Sequence, residues 1–118
     1  NALTEAENYD GPSLIIAYTP CIAHGFNMSN SAQEEKLAVE CGYWHLFRFD
    51  PRLKANGKNP FVLDSKEPSK PLEQFLSEEN RFVGLKQSAP ETAQTLFAEA
   101  EKDSRELYEK YKKLAEED

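Results

Sequence analysis

Helical periodicity is strongest at the end of the chain. Beyond Ser88-Ala-Pro-Glu91, which has the spacing of a capping box, Ala93, Leu96, Phe97, Ala100, Leu107, Tyr108, Tyr111 and Leu114 recur at three- and four-residue intervals. That is the period of one helix face. Ser104 is the polar gap in the stripe, and the opposite face is dense in Glu, Lys and Asp. The pattern predicts a long amphipathic helix from about Ser88 to Asp118.

Apolar positions cluster differently near the start. Leu14-Ile15-Ile16-Ala17-Tyr18 is a continuous run behind the stop Gly11-Pro12, the signature of a strand covered on both faces. In "YWHLFRF", residues Tyr43, His45, Phe47 and Phe49 fall on one face of an extended chain. Trp44, Leu46 and Arg48 fall on the other. Both faces carry bulk, which predicts a second covered strand. Between the two, Ser31-Ala-Gln-Glu34 has capping-box spacing. It opens a predicted helix through about Cys41, with Leu37, Ala38 and Cys41 on the apolar side and Gly42 as its left-handed stop. Strand, helix and strand in this order predict a βαβ unit, with parallel strands and a right-handed crossover.

The segment Asp50–Pro71 reads as loop, with Phe61-Val62-Leu63 as a short strand inside it. Pro71 suits the first turn of a helix. In "LEQFLSEENRFVGL", Leu72, Phe75, Leu76, Phe82 and Leu85 share roughly one side, and Val83-Gly84 is the expected break. At the start, "ALTEAENYDGP" reads as the tail of a helix without a cap. The chain is therefore expected to begin inside an element and to be cut from something longer. Two parallel strands make too small a sheet to stand alone. The predicted fold class is thus an α/β fragment: a βαβ portion over residues 1–71 and a helical extension over 72–118.

Composition narrows the classes. Hydrophobic residues are 39% and charged residues 30% of 118, enough for one domain with a modest core. The net charge of −7 weighs against nucleic acid, whose phosphates it would repel, and against an anionic membrane. No apolar run approaches the ~18 residues of a membrane span, and no signal peptide is visible. A soluble cytoplasmic protein is expected. Cys21 and Cys41 are expected to be reduced thiols.

Chemistry centres on "TPCIAHG". Cys21 lies three residues after Tyr18, at the carboxyl end of the predicted strand, where ligands gather in open α/β sheets. Pro20 stiffens the approach. Against a functional thiol stands the ordinary role of cysteine as a small core hydrophobe. Cys21-x-x-His24 and Cys41-x-x-x-His45 have zinc-ligand spacings. However, Cys41 falls on a core stripe, and His45 shares a face with two phenylalanines. A Cys21–His24 nucleophile pair needs contact within ~3 Å and a third group to orient the ring; none lies near in sequence. Asp50 and Asp64 follow the strands and serve as acids or, more commonly, as turn formers. Glycine-rich phosphate loops are absent.

The runs "EAENYDGPSLIIAYTPCIAHG", "KLAVECGYWHLFRFDPRL" and "GKNPFVLDSKEP" together resemble the pyruvate:ferredoxin (flavodoxin) oxidoreductases. The resemblance lies in the C-terminal part of the family's thiamine-diphosphate-binding domain and runs from about Glu5 to at least Leu85. It implies an enzyme that decarboxylates pyruvate on thiamine diphosphate and Mg2+. Electrons leave one at a time through 4Fe–4S clusters to ferredoxin or flavodoxin, and acetyl-CoA is formed. In that family the "Y-x-x-C-I" loop supplies the remote fourth thiolate of the cluster nearest the thiamine, and the matching residue is Cys21. The other ligands and the diphosphate- and Mg2+-binding segments fall outside this chain. The resemblance therefore implies a fragment that is inactive alone and holds no cofactor alone. It would supply scaffold and one cluster ligand to the rest of a homodimeric parent, which meets pyruvate and CoA. His24 is assigned no catalytic role and Cys41 no ligand role. Two other readings stay open: a helical-arm interaction or dimerisation module without a catalytic role, and a small zinc-binding domain.

Overall fold

The computed structural model describes residues 1–25 and 27–117. Helix α1 (Ala2–Glu7) precedes an extended segment without regular structure. Two single 3-10 turns, Ile22–His24 and Met28–Asn30, lead into α2 (Ser31–Glu40). Strand β1 (Phe47–Phe49), helix α3 (Pro51–Ala55) and strand β2 (Phe61–Leu63) form a hairpin-like unit. Helices α4 (Leu72–Leu76), α5 (Asn80–Ser88) and α6 (Pro90–Glu116) complete the order. The fold is mixed α/β, with a two-stranded antiparallel sheet and a long final helix.

The expected parallel βαβ unit does not form. Residues 14–18 are not a strand; Leu14 is 85% and Ile16 69% exposed. A strand covered on both faces needs a pairing edge and a layer on each side, and the described residues supply neither to Leu14–Ala17. The second predicted strand shortens to Phe47–Phe49, and its partner is the short strand at Phe61–Leu63, as the sequence suggested. The register is Phe47↔Leu63, Arg48↔Val62 and Phe49↔Phe61, antiparallel. Ser65 locks this unit: its Oγ accepts from the Leu46 amide at 2.7 Å, while its own amide donates to the Leu46 carbonyl. Arg48 donates through Nε and Nη2 to the two Asp64 oxygens, both at 2.8 Å, and through Nη1 to Glu5 at 2.7 Å. One guanidinium thus ties α1 to both strands.

The core lies between α2 and α4. Leu37, Ala38 and Cys41 from the predicted apolar face of α2 pack with Leu72, Phe75 and Leu76. Tyr18, Tyr43, Trp44, Phe82, Phe97 and Ala100 close around them. Phe75 is fully buried, with Tyr43 stacked on it at 4.3 Å. Gly42 has φ +79°, the left-handed stop the sequence predicted. Its carbonyl accepts from Ser104 Oγ at 2.6 Å. The polar gap in the α6 stripe therefore marks where α6 crosses the end of α2.

Neither capping box forms. Ser31 is the first residue of α2, which grows from the preceding 3-10 turn with Asn30 at its N-cap. Ser88 belongs to α5, and its hydroxyl donates to the Gly84 carbonyl at 2.9 Å instead of capping α6. Pro71 is the N-cap of α4, one position before the first turn. The break between α4 and α5 comes at residues 77–79, and α5 runs through Val83-Gly84. The α6 stripe splits in two. Ala93 and Tyr108 are buried, with Phe97, Ala100, Ser104 and Tyr111 partly so, whereas Leu96, Leu107 and Leu114 stand exposed along its rim. Asn59 Nδ2 donates to the carbonyls of Leu114 and Glu117 at the end of α6. The expected terminus of this helix, Asp118, lies outside the described residues.

Candidate functional site

The Cys21 loop is shaped by its own sequence and then seated on the α4–α5 break. Pro20 is buried and Cys21 is extended, with φ −125° and ψ 147°. A single 3-10 turn follows, closed by the His24 amide donating to the Cys21 carbonyl at 2.9 Å and the Gly25 amide donating to the Ile22 carbonyl at 3.1 Å. Gly25 ends the turn at φ +80°. A Cβ there would lie 1.9 Å from Asn80 Nδ2, at the start of α5, so glycine answers both the conformation and the close approach. The result is an exposed Cys21 thiol beside an exposed Ile22.

Beneath the loop lies Glu79, whose side chain is fully buried. Tyr18 Oη donates to Glu79 Oε1 at 3.3 Å, and His24 Nδ1 lies 3.5 Å from the same oxygen. Arg81 Nε donates to Oε2 at 2.5 Å. Arg81 is itself held by donation to Tyr43 Oη at 3.0 Å, with its guanidinium 4.6 Å from the Phe82 ring centre. The Tyr18 ring packs against Tyr43 and Trp44 at 5.9 and 5.7 Å. Burial, and then the Glu79 charge, push the Tyr18 hydroxyl well above its ordinary value, so Tyr18 stays a donor. His24 Nδ1 also accepts from the Cys21 amide at 3.4 Å. An Nδ1 that accepts from this amide cannot also donate to the carboxylate, so the ring holds backbone and lies beside Glu79 without bonding to it.

Sequence reasoning missed Glu79 and Arg81. It looked for a third group near His24 along the chain, and the group came from 55 residues away. The pair Glu78-Glu79 between two apolar stripes resembles any solvated turn, and only tertiary packing distinguishes its inward member. The remaining candidates settle into structural roles. Cys41 is buried, its thiol donating to the Ala38 carbonyl at 3.6 Å and pushed up in pKa by burial. His45 sits between Tyr108 and Tyr111 at 5.9 and 5.7 Å, and burial lowers its pKa. Asp50 caps α3 by accepting from the Arg52 amide at 3.0 Å, and the Arg52 side chain lowers its pKa. Asp64 pairs with Arg48. The four zinc candidates are not brought together, and among the described residues no group of three or more His, Cys, Asp or Glu is placed to hold a metal ion. The site therefore offers one exposed soft donor, the Cys21 thiol, on a loop closed by its own backbone hydrogen bonds.

No family model matches the chain. Over 115 residues, 98% of this chain, it is 57% identical to a pyruvate:ferredoxin oxidoreductase from Moorella thermoacetica, of which it covers 10%. Over 116 residues it is 53% identical to a pyruvate-flavodoxin oxidoreductase from Enterobacter agglomerans, covering 97% of this chain and 10% of that protein. The chain is a homologue of one segment of the pyruvate:ferredoxin/flavodoxin oxidoreductases. A mitochondrial pyruvate dehydrogenase (NADP+) from Euglena gracilis carries the same segment, 44% identical over 117 residues, 98% of this chain and 6% of that protein. The chain spans about a tenth or less of the length of these curated relatives. A 4Fe–4S cluster takes four thiolates. This segment has two cysteines, one exposed and one in the core, so its donor set fits a single ligand to such a cluster.

Proposed function

We propose that this chain is the part of a pyruvate:ferredoxin/flavodoxin oxidoreductase that presents one thiolate, Cys21, to a 4Fe–4S cluster held otherwise by the rest of the enzyme. Residues 1–71 carry the thiol loop as part of a thiamine-diphosphate-binding domain, and residues 72–118 brace it. When bound, the cluster accepts and passes on single electrons. The chain's own task is to hold a sulfur still. Pro20 and the turn closed at Gly25 set the backbone, His24 fixes the Cys21 amide, and Tyr18 pins the approach. The observation that carries this reading is the exposed thiol on a turn seated on a buried carboxylate.

The remaining assignments are those of the parent. Pyruvate and CoA are its substrates, thiamine diphosphate and Mg2+ its further cofactors, and a cytoplasmic homodimer its form. Relatives named for ferredoxin, flavodoxin and NADP+ share this segment, which supports placing the choice of acceptor elsewhere in the enzyme. The exposed Leu96, Leu107 and Leu114 along α6 favour a second role, contact with another part or subunit of the parent.

The test is Cys21→Ser in the full-length enzyme. The reduced variant is expected to lose the EPR signal of one cluster and to hold less iron per chain. A wild-type spectrum with wild-type iron would refute the assignment. The isolated 118-residue chain, given pyruvate, CoA and an electron acceptor, is expected to give no turnover.

A further inference from the structure

Glu79 is hard to explain as a helix cap. It occupies the N-cap of α5 in an extended conformation, φ −106° and ψ 129°, yet its side chain makes no cap hydrogen bond. It turns inward instead, and its carboxylate meets Tyr18 and His24. Those two residues sit three positions before and three positions after Cys21. One end of the short loop is therefore tied to Oε1 by the Tyr18 hydroxyl, and the His24 ring at the other end, which holds the Cys21 amide, lies 3.5 Å from the same oxygen, while the residue between them faces solvent. Arg81 balances the charge from the other side through Oε2. The carboxylate's reach sets how far the loop stands off α5, and that distance sets where the sulfur lies.

We propose that Glu79 is the positioning residue for the Cys21 thiolate, acting through Tyr18 to fix the direction of Sγ. The proposal rests on Cys21 being a cluster ligand. Groups that orient ligands through hydrogen bonds, without touching the metal, typically change metal retention by tenfold or more when removed. The carboxylate does the work of such a group although it lies far from Cys21 in sequence. Glutamine in its place keeps the size but loses the charge that Arg81 balances and one of the two acceptor oxygens.

The experiment uses the full-length oxidoreductase and four variants: Glu79→Gln, Tyr18→Phe, Cys21→Ser and Leu76→Ala. Leu76 is buried in α4 and reports destabilisation of the same helices without removing a hydrogen bond from Glu79. Two readouts are followed under anaerobic conditions: the EPR spectrum of the reduced enzyme and the rate at which bathophenanthroline strips iron. Glu79→Gln is expected to alter the spectrum and to lose iron about tenfold faster than wild type. Leu76→Ala is expected to lower the melting temperature while keeping the wild-type spectrum and stripping rate. Should Glu79→Gln fail to fold, Tyr18→Phe decides. It keeps the ring on Tyr43 and Trp44 but removes the donor to Glu79, and it is expected to strip faster than wild type. Wild-type stripping in the folded Glu79 variant overturns the proposal, as does equal acceleration in Leu76→Ala. If Cys21→Ser abolishes a cluster signal while Glu79→Gln changes nothing, the positioning role alone falls. If Cys21→Ser also changes nothing, the ligand assignment falls with it.

Discussion

Glu34 should make this protein less stable as pH rises towards neutrality. It projects from α2 with only 4% exposure, and its Oε1 has no hydrogen-bond partner among the described residues. The cleft it faces carries Gln33, Lys70, Gln74 and Glu78. Burial first, and then the neighbouring Glu78 and Glu79, raise its pKa to about 7 from an ordinary value of 4.5. The protonated carboxyl is thus the form the fold prefers. Below pH 4.5 both folded and unfolded chains carry the proton, and the contribution is complete. Between pH 4.5 and 7 the unfolded chain ionises first, and stability drains away. At about 1.4 kcal/mol per pH unit, the loss by pH 8 is at most about 3 kcal/mol. Glu34→Gln removes the titration while keeping the shape. Urea unfolding of both proteins at pH 5, 6, 7 and 8 tests this. The variant's advantage over wild type should grow across the series, towards about 3 kcal/mol at pH 8. Comparing the proteins at each pH cancels His45, whose lowered pKa works in the opposite sense, costing stability as pH falls. A difference that stays constant from pH 5 to 8 would refute the reasoning.

Three further outcomes follow from the packing. Phe75→Ala removes a fully buried ring stacked on Tyr43 and should cost about 3–5 kcal/mol in urea unfolding; a loss below about 1 kcal/mol would mean the core lies elsewhere. Gly25→Ala meets both φ +80° and Asn80, whereas Gly57→Ala meets φ +69° in open space. The first should therefore lower the melting temperature more than the second, by at least about 1 kcal/mol in stability, and equal losses would sink the close-contact argument. Iodoacetamide should label Cys21 in the native chain and Cys41 only after unfolding, because one thiol is exposed and the other buried with a raised pKa. Two labels on the native chain, read by mass spectrometry, would contradict that placement.

What the amino-acid pattern revealed was local. The apolar faces of α2 and α6, the stop at Gly42 and the short strand Phe61–Leu63 all depend on residues within a few positions of one another. What it concealed depends on partners distant in the chain. The antiparallel pairing of Phe47–Phe49 with Phe61–Leu63 competed with a parallel pairing to Leu14–Tyr18, and local propensity cannot choose between strand partners. The capping boxes failed for a related reason. Asn30 was already turning in a 3-10 helix, and the Ser88 hydroxyl found the Gly84 carbonyl of its own helix. The Cys21 loop was readable as a turn with a thiol. Its seat on Glu79, Arg81 and Tyr43 was not, because a buried carboxylate and a solvated one have the same letter.

The misread run at Leu14–Ala17 carries information of its own. Continuous apolar sequence normally becomes buried structure, because exposing it forfeits roughly 25 cal/mol for each Å² of apolar surface. Here Leu14, Ile15 and Ile16 stay exposed, and so does Ile22 on the far side of the thiol. Cys21 therefore stands within a ribbon of apolar side chains that this segment leaves uncovered, while Tyr18 in the same ribbon packs against its core and Pro20 is buried. On the proposed reading, the remaining nine-tenths of the enzyme covers that ribbon, and in doing so it brings its own cluster ligands up to the sulfur. Burial of the ribbon and completion of the cluster are then one event. On the same reading, the tie from Tyr18 to Glu79 sets the sulfur's place before the larger surface closes over it.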